Sequence, residues 1–82
     1  MRSKFYVSTG AGTLTLLANH AQDAAVIVVD RFFRRRKYFA KEIRVSEGGF
    51  EVHSCDQYVA DEYLDTGVVL DAVRIRRQSR KN

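Results

Sequence analysis

The sequence predicts an α+β fold: two β-hairpins forming an antiparallel sheet, with one long helix packed on one face. Three stretches carry that expectation. Residues 4–18 alternate apolar and polar side chains about a glycine-rich turn. Residues 18–36 repeat apolar positions at helical spacing, and residues 41–55 alternate again about a second glycine pair. The expected order is β-β-α-β-β plus a short C-terminal helix or strand. The chain has 82 residues, enough for one domain. That domain is assigned to residues 1–77, and 78–82 read as a basic, frayed tail.

In "KFYVS" (4–8), Phe5 and Val7 share one face of a strand, with Tyr6 and Ser8 on the other. In "TLTLLA" (13–18), Leu14, Leu16 and Ala18 oppose Thr13 and Thr15. The intervening "GAG" (10–12) supplies residues that tolerate the positive φ of tight turns.

The stretch "ANHAQDAAVIVVDRFFRRR" (18–36) reads as a helix. Asn19 is placed as its N-cap, and Gln22 occupies the capping-box position three residues on. Asp23 in the first turn and the arginine cluster in the last complement the helix dipole. Ala21, Ala25, Val28 and Phe32 fall on one face. The β-branched "VIVV" argues for strand instead, but the caps, length and charge order favour helix. Its middle is apolar nearly all round, which predicts contact on more than one side.

The second hairpin pairs "KEIRVS" (41–46) with "FEVHSC" (50–55) across "EGG" (47–49). With Gly48-Gly49 as the turn, Val45 faces Val52, Arg44 faces His53 and Ile43 faces Ser54. Ile43, Val45, Phe50 and Val52 then share one face, a sorting that one choice of turn achieves for both strands. Beyond it, "DQYVADEYLDTGVVLDAVRIRR" (56–77) matches no single period. An extended piece near Tyr63 and Leu64, then a short helix capped by Thr66, is the preferred reading. "AVRIR" (72–76) as a strand is the alternative.

Composition excludes several classes. Hydrophobic residues are 45% of the chain, too many for a disordered segment. The longest apolar run, "AAVIVV" (24–29), is far shorter than the roughly 20 residues of a membrane span. No secretory signal follows Arg2 and Lys4, and a lone Cys55 forms no intramolecular disulfide. A cytoplasmic protein with no membrane partner is expected. No metal or cofactor is expected either.

The "STGAGT" loop (8–13) lacks the lysine and following helix of a P-loop and reads as a hairpin turn. His53 and Cys55 form no zinc-ligand pattern, and their pairing reads as structural, with Cys55 a small semi-buried residue. His20 reads as an exposed first-turn residue. The acidic residues Asp56, Asp61, Glu62, Asp65 and Asp71 do not follow the alternate spacing of a calcium loop. They read as a solvated face, or as one that answers a basic face. No acid, base and nucleophile combine, so an enzyme is not expected.

Charge is the informative feature. The net charge is +4, but it is strongly segregated. Residues 1–44 hold nine Lys/Arg against three Asp/Glu, hence +6. Residues 45–73 hold seven acids and no Lys or Arg, hence −7, and 74–82 hold five bases and no acid. Such blocks create fields that steer partners.

The candidate nucleic-acid-binding residues are Arg31, Arg34, Arg35, Arg36, Lys37, Lys41 and Arg44, joined by Arg74, Arg76 and Arg77. On a continuing helix, Arg31, Arg34 and Arg35 share a face, and such a stripe gains from counterion release on a phosphate backbone. Tyr38 and Phe39 are candidates to stack on bases. The opposing reading is a solvated helix end, since a helix C-terminus favours arginine without any ligand, and Phe32, Phe33 and Phe39 suit a small core.

No RNA-recognition aromatic motif, GXXG loop or cysteine-histidine finger is present. The function expected from charge is a nucleic-acid-binding or regulatory module. The alternative is a protein-interaction or self-associating module, such as a homodimer in which the acidic 45–73 block meets the basic surfaces of another copy.

Overall fold

A computed structural model describes residues 2–47 and 62–79. The first hairpin forms as the alternation requires, with strands β1 (Ser3–Ser8) and β2 (Thr13–Ala18). They pair antiparallel, Val7 opposite Leu14 and Phe5 opposite Leu16, so the apolar residues of both face the same side. The turn between them is closed by Thr9, which is fully buried. Its Oγ1 donates to the Gly12 carbonyl at 2.7 Å and accepts from the Ala11 and Gly12 amides. Those amides are therefore engaged within the turn, in keeping with a hairpin reading of "STGAGT". Gly10 has φ +91°, and a Cβ there would lie 2.6 Å from the Ala40 nitrogen. The turn is thus seated against residues 38–40.

Helix α1 spans Ala21–Arg31, shorter at both ends than the predicted 18–36. Ala18 still belongs to β2, paired with Ser3, which leaves Asn19 and His20 to make the bend. His20 is the N-cap residue, extended and exposed, and no side chain caps the helix. The expected Asn19–Gln22 capping box does not form. Ala24, Ala25, Val28 and Val29 are buried; of the expected stripe, Ala25 and Val28 are fully enclosed, while Ala21 and Phe32 are half-buried against the core. At Phe32 the backbone leaves α geometry (φ −97°, ψ 17°), and residues Phe33–Tyr38 form a 3₁₀ helix, itself kinked at Arg35.

Strand β3 (Glu42–Glu47) pairs with β1 on one edge, Val45 opposite Val7, and with β4 (Glu62–Asp65) on the other. The sheet order is β2-β1-β3-β4, antiparallel throughout. The second hairpin's register is corrected here. The residue opposite Arg44 on that edge is Tyr63 and the one opposite Ile43 is Leu64, where His53 and Ser54 were expected. Residues 50–55 lie outside the described residues, as do His53, Cys55, Asp56 and Asp61. The extended piece near Tyr63 and Leu64 is thus an integral strand of the sheet.

Helix α2 runs from Thr66 to Ser79, which rules out the strand reading of 72–76 and places residues 78 and 79 in the helix rather than in a frayed tail. The cap also differs from the expected one. Asp65 Oδ2 accepts the Val68 amide at 3.1 Å, the N-cap contact. Thr66 instead donates its hydroxyl to the Ala40 carbonyl at 2.6 Å and its amide to the Lys41 carbonyl. Those two bonds fix the start of α2 to the entry of β3.

Both helices feed one core. Phe5, Val7, Ile43 and Val45 from the sheet pack with Ala24, Ala25, Val28 and Val29 of α1 and Val69 and Val73 of α2. Branched aliphatics of this size contribute roughly 1.5–3 kcal/mol each when fully buried. Phe32, Phe33 and Phe39 sit half-buried at its border. Among the described residues, no helix is long and apolar enough to cross a membrane.

Candidate polyanion-binding surface

The basic segment owes its shape to the end of α1. An α-helix continued through "FFRRRK" would stack like charges at i, i+3 and i+4, which is destabilising. Phe32 and Phe33 also have to reach the core border. The Phe32 ring lies so close to Gly12 that a Cβ there would meet it at 2.6 Å. Phe32 donates its amide to the Val28 carbonyl, the last α-type bond, and the chain then tightens: Arg35 donates to the Phe32 carbonyl at 2.8 Å and Phe39 to the Arg36 carbonyl at 3.1 Å. In a 3₁₀ helix, side chains three apart eclipse.

The continuing α-helix on which Arg31, Arg34 and Arg35 were to share a face is therefore absent. Arg31 closes α1, and the other two belong to the tighter helix. Despite the kink at Arg35, Phe33 and Arg36, three apart, are in contact. The Arg36 guanidinium lies 4.4 Å from the Phe33 ring centre and donates to the Phe33 carbonyl at 3.0 Å.

The two basic blocks meet at this phenylalanine. Arg77, from the last turn of α2, sits 4.1 Å from the same Phe33 ring. It also donates to Asp30 Oδ1 at 2.7 Å and to the Asp30 backbone carbonyl at 3.2 Å. A cation on the C-terminal carbonyls of α1 complements the helix dipole. Arg77 is thus a half-buried latch between the helices, its charge answered by Asp30, and it positions the Arg36 side of the surface more than it adds free charge.

The remaining candidates divide. Arg31, Arg34, Arg35, Arg36, Lys37, Lys41 and Arg44 are all exposed. Among the described residues, no carboxylate lies within ion-pair distance of Arg34, Arg35, Arg36 or Lys37. Arg44 is on the outer face of the sheet, opposite Ser8 in β1 and Tyr63 in β4. Lys41 lies at the junction with α2. Tyr38 is 58% exposed, with the Lys37 ammonium 5.1 Å from its ring centre. Phe39 is half-buried against the core and presents little surface.

Two members of the tail block stand apart. Arg74 forms an ion pair with Asp71 at 3.6 Å on exposed α2 surface. Arg76 lines a separate cleft with Arg2 and Asp23. Among the acidic positions, Asp65 caps α2 and Asp71 is paired within it, while Glu62 is exposed at the end of β4.

The arrangement presents four consecutive exposed cations on one short helix, followed by the exposed Tyr38, beside the Phe33–Arg77 contact. Two features were not read from the sequence, the 3₁₀ spacing and the Asp30–Arg77–Phe33 latch. The doubled phenylalanine before the cation run was the available signal for the first. The second joins residues 47 apart, which no local pattern encodes. Among the described residues, no cluster of three or more His, Cys, Asp or Glu forms a metal-binding group. Comparisons with family models, curated proteins and solved structures find no match to this chain.

Proposed function

We propose that this chain is a nucleic-acid-binding or regulatory module of the cytoplasm, a binding domain rather than an enzyme. Its surface is the segment Arg34–Lys37, extended by Arg31, Lys41 and Arg44. One observation carries this reading: the exposed cations of the 3₁₀ helix have no carboxylate partner among the described residues, which include seven of the ten acidic residues. An ordinary solvated face tends to mix the two signs. Unneutralised arginines suit phosphate oxygens through their planar fork, and release of condensed counterions supplies the driving force. Tyr38, exposed directly after the run, favours unpaired bases, which offer a ring to stack on.

Fluorescence anisotropy with a labelled single-stranded oligonucleotide tests this. Reversal of charge at Arg34 and Arg35 (R34E, R35E) should weaken binding at least tenfold, alike for unrelated base sequences, because phosphate contacts carry no sequence information. Undiminished binding by the double variant, or none by the wild type in low salt, contradicts the proposal.

A second reading, self-association, has its own support. Val68 and Ile75 are 60% and 65% exposed and lie seven residues apart on one side of α2. The Asp71–Arg74 pair beside them is self-complementary in charge across an antiparallel two-fold. Light scattering in low salt decides it: a dimer that Ile75→Glu returns to monomer supports this reading, and a monomeric wild type rejects it.

A further inference from the structure

A second, chemically different site lies away from the basic segment. A cleft of about 470 Å³ is lined by Leu17 of β2, Asp23, Val26 and Ile27 of α1, Arg76 of α2, and Arg2. That volume falls within the range of small-molecule clefts, roughly 300–1,000 Å³. Its walls are of two kinds. Leu17 is 59% exposed, and Val26 and Ile27 are half-buried, so three aliphatic side chains of one short region keep apolar surface in contact with solvent. Arg2 and Arg76 are exposed, and among the described residues neither pairs with a carboxylate, Asp23 of the same cleft included.

We infer that this cleft binds a small amphiphilic carboxylate, its apolar body on Leu17, Val26 and Ile27 and its head group on the two guanidiniums. The charge selects a monoanion. Two arginines against one aspartate leave a single positive charge in the cleft, which one carboxylate neutralises and a dianion would exceed. Guanidinium accepts a planar carboxylate through two parallel hydrogen bonds, and burial of the aliphatic walls supplies the non-directional part of the affinity. The periodicity of α1 also finds an explanation: a helix whose middle is apolar nearly all round has a second apolar side, and Val26 and Ile27 are on it. The site shares no residue with Arg34–Lys37, so it stands or falls independently of the nucleic-acid proposal.

Sodium decanoate, below its micelle concentration, is the probe, followed by amide chemical shifts in two-dimensional NMR. Saturable shifts centred on Leu17, Val26, Ile27 and Arg76 are expected. Decanol, with the same chain and no charge, should bind at least tenfold more weakly. Arg76→Glu should lower decanoate affinity about tenfold, the equivalent of one charge-assisted contact. Arg76 is exposed, so the variant should keep its thermal midpoint, and Arg2→Glu provides a second measurement of the same contact. Equal affinity for decanol, shifts spread over the surface away from the cleft, or unchanged affinity in both charge variants would overturn the inference.

Discussion

A methyl group added at Gly10 would meet the Ala40 nitrogen at 2.6 Å and the Tyr38 carbonyl oxygen at 3.0 Å. The positive φ of this residue is itself unfavourable for any L side chain. Gly10→Ala should therefore destabilise the fold by about 1–3 kcal/mol, read as a lower denaturation midpoint with an unchanged slope. An unaltered midpoint would mean that the turn is not held against residues 38–40. The consequence reaches the functional surface, because that turn backs the end of the 3₁₀ helix, where the Ala40 amide donates to the Thr9 carbonyl at 2.9 Å. Phe33 acts on the same surface from the opposite side, giving one ring to both Arg36 and Arg77.

The elements were legible where a single period ran uninterrupted. β1, β2 and β3 show their alternation openly, and the buried stripe of α1 follows helical spacing. Two boundaries were hidden. The end of α1 at Arg31 depends on Phe32 packing against Gly12, a contact between residues 20 apart, and the arginines that follow are good helix formers that give no stop signal. The partner of β3 was misassigned because residues 50–55 alternate more cleanly than "EYLD", whereas β4 is fixed by tertiary anchors, the Thr66 bonds to Ala40 and Lys41. The helix preferred after Thr66 is present as α2 and is longer than the short one expected, its β-branched residues being equally suited to a strand. Its orientation makes a sharp expectation. Val73 is fully buried and Ile75, two residues on, is 65% exposed. Val73→Ala should lower stability by about 1–3 kcal/mol, and Ile75→Ala should change it by about 0.5 kcal/mol or less. Equal losses in thermal unfolding would contradict the helical assignment of 72–76.

At the scale of the molecule, folding treats the charge blocks unequally. The cations of 34–37 remain exposed and unpaired by described carboxylates, Arg77 is drawn in as a latch with Asp30, and Arg74 and Arg76 go to other surfaces. Segregation along the chain was plain in the sequence. Its arrangement in space was not, because it depends on where α2 ends relative to α1. The central claim is that an exposed cationic segment contacts phosphates, and salt dependence of binding measures it most directly. For a labelled single strand titrated between 50 and 200 mM salt, four phosphate contacts give a slope of about −3 in log affinity against log salt, a loss of roughly 50-fold. The R34E, R35E protein should show a slope shallower by at least one. Affinity that is flat across this range, or an identical slope in the two proteins, would contradict the account.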